Sequence, residues 1–235
     1  GFASARKDIV LIVCASATSW MLSKVVHNKG GLYNRLTEQI HLRTFCLREC
    51  EAYVKAAGLA LNRNQILQYY MFFGGVPYYW GFLKKGLSLS QNIDSILFEK
   101  DAPLRDEFKY LYASVFKKPE NYVKIIEALG TKKVGMTREE IITATKIPNS
   151  GDLTTKLEEL ESCGFIRKYN AFGMKKKNAI YQLMDYFTLF YFKFLKSEPT
   201  DEHFWTNQIN TPAVNTWLGL AFERVCMEHV DQIKF

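Results

Sequence analysis

An unbroken apolar run, Ile9-Val-Leu-Ile-Val-Cys-Ala15, stands near the start of the chain. With no polar alternation, it predicts a strand covered on both faces, as inside a parallel α/β sheet. Ser16, Ala17 and Thr18 close the run, and a helix, a Gly30-Gly31 turn and Arg35 follow. Ile40, His41 and Leu42 alternate and predict a further short strand. From 48 to 116 the spacing turns helical. One helix over 49–57 is closed by Gly58. Asn62 caps the next, with Gln65 at the reciprocal position and Ile66, Tyr69, Tyr70 and Phe73 on the apolar face. Gly74-Gly75-Val76-Pro77 breaks that helix, and Tyr78, Tyr79, Trp80 and Phe82 follow as an aromatic cluster. Helices over 89–98 and 103–116 complete what reads as a helical bundle of its own.

A third unit begins at Pro119. A helix over 121–129 leads to Thr137 and Glu140, a capping box ahead of Ile141, Ile142 and Ala144. Ile147-Pro148 ends that helix. Leu153, Leu157 and Leu160 share one face of the next, which Gly164 terminates. Residues 165–169 and 179–183 read as paired strands around a lysine-rich turn. Three helices followed by a basic two-stranded hairpin is the winged helix-turn-helix pattern. Residues 186–195 read as an aromatic helix, 198–212 as a polar linker, and 217–230 as a last helix.

Composition narrows the class. The 235 residues are 48% hydrophobic and 23% charged, which excludes a disordered chain. No apolar run approaches a membrane span, so a chain without a membrane partner is expected. The net charge of +7 permits an acidic partner such as nucleic acid. Five cysteines without a C-x-x-C fit a reduced, cytoplasmic protein. Cys46 and Cys50 near His41 match no common metal spacing and read as ordinary thiols.

The order of these segments resembles the archaeal-type P-loop ATPases of the STAND group, relatives of the AAA+ proteins, which carry a winged helix and a nuclease-like C-terminal domain. The matching stretches are 11–20, Gly30-Gly-Leu-Tyr-Asn-Arg35, Gly74-Gly-Val-Pro-Tyr-Tyr79, 157–168 and Ala221-Phe-Glu223. The resemblance implies a mainly α fold with an α/β remnant. It places the C-terminal part of the ATPase core at 1–47, a helical lid at 48–118 and a winged helix-turn-helix domain at 119–184. A helix and linker follow at 185–212, and the start of a nuclease-like domain at 213–235. It implies that Ser16 or Thr18 senses the γ-phosphate, that Arg35 is the catalytic arginine, and that Gly75 and Pro77 form the lid turn against adenine. An arginine there stabilises charge on the transferred phosphoryl group. Glu223 falls where a nuclease-like domain has its first acid.

ATP and Mg²⁺ are accordingly implied for the full-length protein. No G-x-x-x-x-G-K-[ST] occurs in this chain, so the chain alone is expected to act as a fragment that neither grips nor hydrolyses ATP. The later acids and lysine of a nuclease site are also missing, and nuclease activity is not assigned.

Each assignment has a plainer reading. Ser16 and Thr18 fit a helix cap, Arg35 a surface pair with Glu38, and Gly75 to Pro77 a helix stop. The second helix of the winged unit carries Asp152, Glu158, Glu159 and Glu161 against Lys156 alone, an acidic face that repels phosphate. Arg167, Lys168, Lys175, Lys176 and Lys177 form a basic strip, so contact with double-stranded DNA is expected to be wing-led and salt-sensitive. The plainer reading of the strip is a solvated turn. The expected function is a nucleotide-dependent switch. The alternatives are a non-catalytic winged-helix DNA-binding regulator and a scaffold for assembly, and a homo-oligomer stays open.

Overall fold

Side-chain caps fix where most helices begin. The computed structural model describes residues 40–170 and 179–234, with Ile12 and Glu38 singly. Helix α1 is Leu47–Ala56, where the Glu49 carboxylate accepts the Cys46 N–H at 2.8 Å. Helix α2, Arg63–Phe73, starts at the expected box: Asn62 accepts from the Gln65 N–H, and Gln65 accepts from the Asn62 N–H. Each exchange satisfies two donors that a helix start leaves open. Helix α3, Pro77–Trp80, has proline in its first turn. Helix α4, Leu89–Ile93, is capped by Ser88 and Gln91 and runs into a π turn, Asp94–Phe98. Helix α5 is Glu107–Val115, and α6 is Glu120–Gly130.

Strand β1, Met136–Thr137, leads into α7, Arg138–Thr145, capped by Thr137 and Glu140 as expected. Lys146, in the left-handed region at φ 59°, ends it. Helix α8 is Gly151–Ser162, β2 is Ile166–Asn170 and β3 is Ala179–Leu183. The sheet is antiparallel with order β1-β3-β2, and Ile166 faces Leu183 while Met136 faces Tyr181. Asp185 caps α9, Tyr186–Phe190, which passes into a π turn, Tyr191–Leu195. Helices α10, Phe204–Gln208, α11, Pro212–Glu228, and α12, Val230–Ile233, follow. The described chain is thus mainly helical with one small antiparallel sheet.

Two cores organise these elements. The first is aromatic. Phe72 packs against Phe190, Trp205 and Trp217 at centroid separations of 5.2, 4.9 and 5.2 Å. Tyr69, Tyr70, Phe73, Trp80, Phe98, Phe187 and Phe194 surround them. The second is largely aliphatic: Ile125, Ile126, Leu129, Ile141, Leu153, Leu157, Leu160 and Leu183, with Tyr112, Phe116 and Phe165.

Three expectations are corrected. The bundle over 48–118 is not closed by itself, because its aromatic faces pack against α9, α10 and α11 from the far end of the chain. The stretch 198–212 is not simply a polar linker. Trp205 within it is 1% exposed, and the buried Asp94 accepts the Trp205 and Thr206 N–H groups at 2.7 and 3.1 Å. A carboxylate there answers the open donors of the helix start. Ile40, His41 and Leu42 form no strand, and both apolar side chains are exposed. Ile12, from the first apolar run, lies in no strand and is 84% exposed. The rest of that run, with Ser16, Thr18 and Arg35, lies outside the described residues.

Candidate functional site

The Gly74-to-Pro77 turn is where α2 hands over to α3. Gly74 takes φ 55° and ψ −151°, and a Cβ there would meet the Tyr186 ring at 2.8 Å. Its carbonyl accepts the Trp80 indole N–H at 2.8 Å. Gly75 is buried for a different reason: a Cβ would stand 1.8 Å from the Phe45 carbonyl oxygen. Phe45 N–H donates to the Gly75 carbonyl at 2.7 Å, and the Tyr70 hydroxyl donates to the Phe45 carbonyl at 2.9 Å. The glycine therefore admits a neighbouring backbone, a use only glycine serves. Pro77 is exposed and sets the first turn of α3.

The approach to α1 is pinned from the other end of the chain as well. His229 at the end of α11 is buried, and its Nδ1–H donates to the Val225 carbonyl at 2.9 Å. Its Nε2 then holds the lone pair that accepts the Leu47 N–H at 3.1 Å. The Tyr186 hydroxyl donates to Glu228 at 2.8 Å, and the Tyr70 ring meets Tyr186 and His229 edge-on, each at 5.4 Å. Neither His229 nor Tyr186 was singled out in the sequence, where nothing local marks a partner so far away.

Carboxylates and tyrosines gather where the two cores meet. Tyr79 donates to Glu107 at 3.1 Å, and the Tyr112 and Thr188 hydroxyls share a bond of 2.9 Å. The Asp185 carboxylate accepts the Thr188 N–H at 2.7 Å. Burial pushes Asp185 and Glu107 above the usual carboxylate range, and the charge of Asp185 adds to the effect on Glu107. Beside this joint a cleft of about 560 Å³ opens along Phe108, Val123, Tyr191 and Leu195. Its Arg105 guanidinium is already engaged by the carbonyls of Phe98, Glu99 and Pro199. Asp106, Lys109 and Glu198 also line the cleft, so its wall mixes apolar and charged side chains.

The basic strip divides. Lys168 is exposed on β2. Arg167 is half-buried and turned away: its Nε–H donates to Gln182 at 2.8 Å, and its other nitrogen lies 3.1 Å from the Met227 sulfur on α11. Lys175, Lys176 and Lys177 lie outside the described residues. Helix α8 presents exposed Asp152, Glu158 and Glu161, and Lys156 is held by Asp152. Glu223 is exposed on α11, whereas the neighbouring Arg224 is buried. Among the described residues, no group of three or more His, Cys, Asp or Glu side chains is placed to hold a metal ion. No described helix is long and apolar enough to cross a membrane.

Comparison with known proteins finds no matching family model, no matching curated protein and no matching solved structure.

Proposed function

We propose that the chain is the lid and winged-helix part of an ATP-binding, STAND/AAA-type ATPase that works as a nucleotide-dependent switch. Three features support the reading. The order α6, β1, α7, α8, β2, β3 with sheet order β1-β3-β2 is compatible with the winged helix-turn-helix pattern. A helical unit with a Gly-Gly-Val-Pro turn whose two glycines are buried precedes it. The aromatic core then joins that unit to the segments after the hairpin. In this reading residues 1–47 belong to the nucleotide-binding core, with Ser16 or Thr18 and Arg35 at the phosphates. Gly75 and Pro77 belong to the lid, and ATP with Mg²⁺ is held by the full-length protein.

The observation that carries the reading is the bond between the Phe45 N–H and the Gly75 carbonyl. It fixes the lid turn to the backbone that leaves residues 1–44. A displacement of that backbone must either carry the turn with it or break the bond. A switch needs two such arrangements with different affinity for the ligand.

DNA contact in this reading rests on the hairpin lysines, Lys168 and Lys175 to Lys177. Helix α8 presents an acidic face and the Arg167 guanidinium is engaged by Gln182, so neither favours phosphate. Glu223, exposed on α11, is assigned no nuclease role in this reading.

Equilibrium binding of ATP with Mg²⁺ tests the proposal. The full-length polypeptide is expected to bind and the 235-residue chain alone is not. Arg35→Ala is expected to spare binding and abolish hydrolysis. Failure of the full-length polypeptide to bind ATP would remove the switch.

A further inference from the structure

The approach to α1 is held by two regions that are far apart in sequence. Phe45 N–H bonds to Gly75, the Phe45 carbonyl bonds to Tyr70, and Leu47 N–H bonds to His229. Residues 45–47 are therefore clasped between the lid turn on one side and the last turn of α11 on the other. The contact with His229 spans 182 residues of sequence. It is directional, because the imidazole spends its Nδ1–H on Val225 and has one acceptor left for one donor.

Cys50, on the first turn and a half of α1, is fully buried in the first core. Its burial pushes the thiol up to about 12, with Cys46, Glu49 and Glu228 adding to the effect. A thiol in that state reacts poorly, since the thiolate is the nucleophile. The alkylation rate of Cys50 therefore reports how often this end of α1 is uncovered.

We propose that the His229 end of α11 is a latch. Closed, it holds residues 45–47 on the lid turn and keeps Cys50 covered. Open, it frees the approach to α1 and uncovers the thiol. Two features fit a latch better than plain core packing. First, the fastening consists of single hydrogen bonds at the end of α11: Leu47 N–H to the buried His229, and the Tyr186 hydroxyl to the exposed Glu228. Second, the fastening parts sit at an interruption between α11 and α12, where His229 leaves helical geometry at φ −103° and ψ 19°. One broken bond there swings a terminal turn and leaves the aromatic core of Phe72, Phe190 and Trp217 in place. What drives the latch rests on the nucleotide-switch reading above; the latch itself does not.

The test follows the rate of Cys50 alkylation by N-ethylmaleimide, resolved by peptide mass, together with hydrogen exchange at 45–47. His229→Ala is expected to speed both by about tenfold, the loss of one native hydrogen bond. His229→Gln keeps an acceptor and is expected to restore much of the closed rate. Tyr186→Phe removes only a hydroxyl and is expected to give a smaller rise at the same sites. Exchange in α7 and α8 is expected to stay unchanged in all three. Unchanged Cys50 and Leu47 rates in both His229→Ala and Tyr186→Phe would overturn the latch. So would an opening that spreads equally to α7 and α8, which would make His229 an ordinary core residue. In the full-length protein ATP is expected to shift the Cys50 rate in the wild type and not in His229→Ala. ATP binding without any shift would overturn the latch as the moving part. Failure to bind ATP would remove the switch reading, while the variant rates still decide the latch.

Discussion

The two cores differ in how they are assembled. The second draws its residues from one continuous stretch, Tyr112 to Leu183. The first is split: its helices from the early part of the chain are closed by residues from Tyr186 to Val225, most of them aromatic, with the whole second core between them in sequence. A continuous core can form from local contacts. A split core must first close a long loop, which costs entropy before any contact repays it. The split core is the one that uses large rings: Trp80, Trp205, Phe72, Phe98 and Phe190 are each almost fully buried. Each such side chain buries roughly 150–250 Å². A few contacts of that size offset a closure cost that many small aliphatic contacts would meet only collectively.

Breaking the comparison at its largest point means removing Trp205. It touches Phe72, Phe190, Phe194 and Trp217, and its backbone N–H is held by Asp94. Trp205→Ala is expected to cost about 3–5 kcal/mol in chemical denaturation. It is expected to expose α2 and α11 together to hydrogen exchange. Leu157→Ala, at the centre of the second core, is expected to cost about 2–5 kcal/mol. Its increased exchange is expected to stay within α6 to β3. A spread of either effect over both cores would blur the distinction.

A smaller local effect sharpens the picture. Thr137→Ala removes the cap of α7, whose side chain accepts the Glu140 N–H. The expected cost is about 1 kcal/mol, read as a fall in the midpoint of denaturation with an unchanged slope.

The joint between the cores gives the smallest effect, read through pH. Asp185 and Glu107 are both raised by burial, so the folded state holds their protons more tightly than the unfolded chain does. Their contribution is fully present below the unfolded carboxylate pKa of about 4 and is lost as pH rises through the folded values. Asp185→Asn keeps an acceptor for the Thr188 N–H and removes the charge. It is expected to raise stability slightly at neutral pH and to flatten its decline above about pH 4. A steeper decline in this variant would contradict the assignment of burial as the cause.

Legibility followed how far along the chain each contact reaches. Asn62 with Gln65 and Thr137 with Glu140 were readable because a capping box is complete within four residues. Leu153, Leu157 and Leu160 were readable because one helix face repeats. Trp205 carries no local signal inside a polar stretch, since its partner Asp94 lies 111 residues away. Gly75 read as a turn glycine, but its physical reason is the backbone of Phe45, which no local pattern announces. Arg167 read as one of a basic strip, yet the Met227 sulfur that it meets is 60 residues distant. His229 carried no local signal at all, and its partner is at the opposite end of the described chain. Sequence periodicity reports which face of an element is buried; it does not report what covers that face.

Native-state hydrogen exchange in low denaturant tests the split core most directly, because it measures which segments open together. The account expects α2 and α11 to share one opening free energy and one denaturant dependence, with α6 to β3 opening as a separate unit. Opening of α2 independently of α11, or jointly with α6 to β3, would contradict it.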